Sequence, residues 1–156
     1  MLQEMQLSEI FSGLGRDRFD AVLALVSMGS LKTFKVYDTF KIRTHLSKLN
    51  RERLRNAAPK LWARIQQGDE DLAKEIAQGA LISHMDFIIE ALDFLQIPHD
   101  GYGFFDKDAE ASEKLVDGWQ ARVCDEFREK RPEALVLLYV NHLEWEMGEP
   151  AEAFTG

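Results

Sequence analysis

The sequence predicts an all-α fold, a single-domain bundle of six or seven helices with a long central helix. Three observations predict it. Apolar residues recur three and four apart through most of the chain, the spacing that lines them up on one side of a helix. Between Asp69 and Ile97, residues Leu72, Ile76, Ala80, Leu81, His84, Ile88, Ala91 and Leu95 follow one face without a proline, which marks the central helix. One stretch alternates like a strand, but no second segment offers it a partner, and an isolated hairpin is marginal on its own.

Each element arises from local chemistry. Leu7, Ile10, Phe11 and Leu14 make a short helix that Gly13 and Gly15 can stop, and Phe19, Val22, Leu23 and Val26 make a second, ended by Gly29 with Ser30 free to cap the next segment. Residues 31–49 carry two periods at once. Phe34, Val36, Phe40 and Ile42 alternate, whereas Ile42, Leu46 and Leu49 keep helical spacing, and the lack of a strand partner favours helix.

Asn50 can cap the next helix, which Pro59 should kink or break, because proline lacks the amide and disfavours an α conformation at Ala58. Gly68 stops that segment and Asp69 restarts the chain as the central helix, closed by Pro98; Gly79 within it implies close packing or a bend. After the loop 98–111, Ser112 or Asp108 should cap a helix bearing Val116, Trp119, Val123 and Phe127. Pro132 suits the first turn of the last helix, which is apolar nearly all round up to Val140 and should therefore be central to the core. Residues 1–147 are expected to form the helical domain and 148–156 a loosely ordered tail. The turns around Gly68 and Gly148 resemble that of the tetratricopeptide repeat. They lie 80 residues apart, where that repeat demands a multiple of about 34, so no repeat array is expected.

A chain of 156 residues, 46% of them hydrophobic, is long enough to bury one sizeable core. A single cysteine, Cys124, excludes an internal disulfide and a multi-cysteine zinc site and fits a reducing compartment, so a cytoplasmic location is the expectation. No apolar window approaches the length of a membrane span, and the first residues lack the pattern of a secretory leader.

The net charge of −8 is unevenly spread. From Lys32 to Arg64 ten Lys or Arg stand against two acids, a net of +8, while the other residues hold nine basic against 25 acidic, a net of −16. Such segregation steers partners rather than specifying a fold. A basic segment including Arg51, Arg53 and Arg55 could contact phosphates, but a polyanion would be repelled by most of the remaining surface, so nucleic acid is a disfavoured partner.

Four groups of residues could carry chemistry. His84 sits on the apolar seam of the central helix, where it either bonds a neighbour through one ring nitrogen or serves as a ligand; its neighbour Asp86, two residues on, faces away and cannot chelate with it. Asp86, Glu90 and Asp93 form an acidic stripe that needs a compensating cation, which the 32–64 segment could supply. On the last helix, Tyr139, His142 and Glu146 share a side and could line a pocket with His84 and His99. The loop 98–111 carries Tyr102, Phe104 and Phe105, which either fold back or meet a partner.

The loop acids lack calcium-loop spacing, and no Gly-x-Ser-x-Gly turn, phosphate loop, His-Glu-x-x-His or di-iron Glu-x-x-His pair occurs. No metal, cofactor or catalytic residue is therefore assigned. The leading expectation is a non-enzymatic interaction protein, self-associating or docking a protein partner through the basic surface (32–64) and the aromatic loop (98–111). The alternatives are a small-molecule-binding or catalytic bundle with its pocket near His84, His99 and His142, and nucleic-acid binding through the basic segment.

Overall fold

The computed structural model describes residues 6–26, 51–101, 105, 109–147 and 152–155. The ambiguous segment 31–49 lies outside them. Among the described residues every regular element is helical: α1 (Leu7–Leu14), α2 (Arg16–Leu25), α3 (Arg51–Gln66), α4 (Glu70–Ser83), α5 (Met85–Phe94), α6 (Ala109–Lys114), α7 (Trp119–Phe127) and α8 (Glu133–Glu146). Helices α1 and α2 pack on α3, α4 and α8, while α7 packs on α8, so the pieces share one core.

The turn between α1 and α2 is a single residue, Gly15, at φ 94°, a left-handed conformation that costs glycine little. It turns the chain so that Phe11 and Phe19 meet edge to face, 5.7 Å between ring centroids, and Phe19 in turn meets Trp62 of α3 at 5.1 Å. Each such ring removed from water contributes roughly 1.5–3 kcal/mol.

Helix α3 runs through Pro59 without a break. Proline deprives only the carbonyl four residues earlier, that of Arg55, and both residues are exposed, so water can take the missing donor's place. Gly68, at φ 83°, ends α3: its amide bonds the Ile65 carbonyl and the Asp69 amide bonds the Arg64 carbonyl, a Schellman closure. Asp69 then caps α4 by accepting the Leu72 amide at 3.1 Å, while its other oxygen holds Arg64 Nε at 2.8 Å.

The predicted central helix is two helices. His84 interrupts it at φ −130°, ψ 45°, between α4 and α5. Just before the break the Ser83 hydroxyl bonds back to the Gly79 carbonyl at 2.7 Å, a contact that bends helices, and the His84 ring is drawn to the end of α2. No glycine or proline occupies residues 80–97, so periodicity alone had no reason to stop there.

The Trp119 helix also divides. Asp117-Gly118, with Gly118 at φ 85°, makes a turn that separates α6 from α7 and leaves Val116 outside both helices, 52% exposed, rather than on the apolar face. In α8 every residue from Ala134 to Leu143 is buried, Asn141 and His142 included, which makes it the core helix its all-round apolar sequence predicted. Its Tyr139 ring lies 5.7 Å from Phe87 of α5, and Phe87 lies 5.1 Å from Phe127 of α7, tying three helices together.

Candidate functional site

Between α2 and α3 the described surface holds a concavity of about 590 Å³. Leu23, Ala24, Ala58 and Pro59 supply apolar wall, and Arg16, Asp20, Arg55 and Asn56 supply polar groups. Arg16 Nε is held by Asp20 at 2.9 Å, one helical turn away. Arg55 is exposed, and no ion pair among the described residues reaches it. The groove therefore presents an available guanidinium above apolar walls. Arg55 belongs to the basic segment read from the sequence; the side chains of Arg51 and Arg53 lie outside the described residues.

Of the aromatic loop, Tyr102 and Phe104 lie outside the described residues, and Phe105 is half-buried against the core. The basic segment could neutralise the acidic stripe on α5, but among the described residues Arg131 holds two of its three carboxylates: its guanidinium bonds Asp86 at 3.0 Å and Glu90 at 3.1 Å while lying 5.9 Å from the centre of the Phe87 ring. Partial burial pushes the Asp86 carboxyl up, but the Arg131 hydrogen bond, the Phe87 amide and the guanidinium charge outweigh it and hold Asp86 below the usual carboxylate range. Arg131 is held charged in return, its two carboxylate bonds outweighing its own desolvation.

The three described histidines have separate roles. His84 Nε2–H donates to the Leu25 carbonyl at 3.1 Å, at the end of α2. His99 receives the Gly101 amide on Nδ1 at 3.0 Å, so its proton sits on Nε2 and goes to Asp93 at 2.7 Å. His142 Nδ1 stands 3.4 Å from Glu146 on the same helix, its ring 5.6 Å from Trp145. Tyr139 is buried one turn earlier on that face, its hydroxyl without a partner among the described residues; burial first, and the Glu146 charge second, push its ionisation far above the ordinary phenol range. Tyr139, His142 and Glu146 thus form one cluster on α8, while His84 and His99 are engaged elsewhere. Among the described residues no group of three or more His, Cys, Asp or Glu is placed to hold a metal ion.

Cys124 borders a smaller cavity of about 400 Å³ with Arg18, Arg128, Glu133 and Thr155. Burial, then the charges of Asp125 and Glu133, push its thiol up against the weaker pull of Arg128, the reverse of what activates a thiolate.

Neither the α2–α3 groove, built by residues some 35 positions apart, nor the carboxamide of Asn141, buried in α8 and bonded to both backbone groups of Phe154, had a sequence signal. No helix among the described residues is long and apolar enough to cross a membrane. The chain matches no protein-family model, no curated protein and no solved structure.

Proposed function

We propose that this chain is a non-enzymatic interaction protein whose basic face, from Lys32 to Arg64, docks an acidic protein surface, a second copy of the chain being one such surface. The observation that carries the reading is the division of charge, +8 in that segment against −16 in the rest, which makes one copy's basic region complementary to another's acidic remainder. The α2–α3 groove supports it, because Arg55 stands at its edge, unpaired among the described residues, over apolar wall that a partner side chain can fill. The aromatic loop, with Tyr102, Phe104 and Phe105, is the second contact region of the proposal. We place this activity in a reducing compartment, the cytoplasm, on the strength of the lone Cys124.

The test is sedimentation velocity over a concentration series at low and high salt, together with capture of cytosolic proteins on the immobilised chain. We expect association that weakens as salt screens the charges between about 0.05 and 0.5 M, and that Arg55→Glu with Arg51→Glu and Arg53→Glu removes. A chain that stays monomeric at low salt and captures nothing beyond the charge-reversed variant refutes the reading. A second reading, a small-molecule site at the α8 cluster, draws on the unpaired buried hydroxyl of Tyr139, a polar group that a ligand could satisfy. Nucleic-acid binding is the third, and retention on heparin that does not respond to the three reversals counts against it.

A further inference from the structure

Residues 152–155 lie against α1 through Gly13, α2 through Arg18 and α8 through Asn141, which together form a cleft around them. The Asn141 carboxamide is 2% exposed, and all of its hydrogen-bonding groups are used. One amide hydrogen goes to the Leu137 carbonyl of its own helix at 2.7 Å, which fixes the plane of the group. The other donates to the Phe154 carbonyl at 2.8 Å, and Oδ1 accepts the Phe154 amide at 2.6 Å. A donor and an acceptor held side by side in this way match the N–H and C=O of one extended residue, whatever its side chain.

Selectivity comes from the flanks. At Gly13 of α1 a Cβ would lie 2.7 Å from the Cβ of Ala153, so the absence of a side chain there makes the notch in which the Ala153 methyl sits. Arg18 Nη2 reaches the Thr155 carbonyl at 3.5 Å, and beyond Thr155 the cleft opens into the cavity between Arg18 and Arg128. The segment is only partly buried: Glu152 and Thr155 are exposed, and Ala153 and Phe154 are half-buried.

We infer that this cleft is a recognition site for an extended peptide in which a small residue precedes an aromatic one, filled here by the chain's own Ala153 and by Phe154, whose ring packs against the core, and that it binds the same sequence from another chain when its own segment leaves. This inference stands apart from the basic face, which shares none of the cleft's residues.

The experiment uses the full chain and a fluorescent peptide of residues 149–156. Ala153→Glu ejects the chain's own segment while leaving Gly13, Arg18 and Asn141 intact; Gly13→Ala added to it closes the notch. In fluorescence anisotropy the Ala153→Glu chain should bind the peptide at least tenfold more tightly than the unaltered chain, in which the tethered segment competes at an effective concentration of about a millimolar. The double variant should lose that gain, and a scrambled peptide should not bind. Equal binding by the single and double variants, or none by either with helix content intact, overturns the inference. Hydrogen exchange on the unaltered chain tests it without any substitution. The Phe154 amide should open far more readily than the amides of α8, and exchange of both only through global unfolding makes the segment an inseparable part of the core and also overturns it.

Discussion

Glu70 and His84 stand at opposite ends of α4 and close opposite ends of the α1–α2 pair. Glu70 accepts the amides of Leu7 at 2.6 Å and Ser8 at 3.2 Å, at the start of α1 where helical amides have no partner of their own. His84 donates to the carbonyl of Leu25, the last residue of α2, where the complementary shortage of donors arises. A helix that belongs to neither partner therefore caps both, adding to the local box that Gln6 and Glu9 make at the start of α1.

Loss of either cap should cost stability in proportion to the groups left bare. We expect Glu70→Ala to cost about 1–2 kcal/mol and His84→Ala about 1 kcal/mol in urea denaturation. The two residues sit a helix length apart with no shared partner, so the double variant should show the sum to within about 0.5 kcal/mol. Strong non-additivity would mean that α4 shifts as a body when one end is released.

Gln96 closes α5 in a conformation that favours glycine. It sits at φ 61°, with its amide bonded to the Asp93 carbonyl and the Ile97 amide bonded to that of Leu92, the same closure that Gly68 makes after α3. Gln96→Gly should therefore raise stability by about 0.5–1 kcal/mol, whereas Gly68→Ala, in open space but at φ 83°, should lower it by about 1 kcal/mol. Thermal unfolding of the two variants checks both signs.

The Arg131 clamp should give stability a pH signature. A carboxyl held low in the folded chain contributes stability that is present above its unfolded pKa, about 3.9 for Asp, and is lost as pH falls through the lower folded value. For Asp86 that places the loss in acid, below about pH 4. Arg131→Ala should cost about 1 kcal/mol at neutral pH, since it removes two partly exposed ion pairs and leaves Asp86, Glu90 and Asp93 to repel one another. The gap between the variant and the unaltered chain should narrow below about pH 4. A gap that stays constant from neutral into acid would show that Arg131 acts through its contact with Phe87 alone.

Tyr139 buries a hydroxyl that finds no partner among the described residues. If its role is packing against Phe87, Tyr139→Phe keeps the ring contact, removes the unpaired group and should leave stability unchanged or raise it by about 1 kcal/mol. Phe87→Ala, which empties the junction of α5, α7 and α8, should cost about 3–5 kcal/mol. A marked loss of stability in Tyr139→Phe would reveal a bound water or ligand on the hydroxyl.

The order of residues by itself determined the helical class, the core faces and the uneven charge. Leu7, Ile10, Phe11 and Leu14, then Phe19, Val22 and Leu23, all turned inward at the spacing that named them, and the run from Ala134 to Val140 became the buried helix. These are properties of neighbours along the chain, set by a helical repeat of 3.6 residues. The tertiary structure alone decided the break at His84, the capping of α1 by Glu70, the Arg131 clamp over the acidic stripe, the α2–α3 groove and the grip of Asn141 on Phe154. Each of these joins groups distant in sequence, or depends on which carbonyl or amide a folded neighbour leaves bare. No pattern in the order of residues records where a packed partner will put an unpaired hydrogen-bonding group.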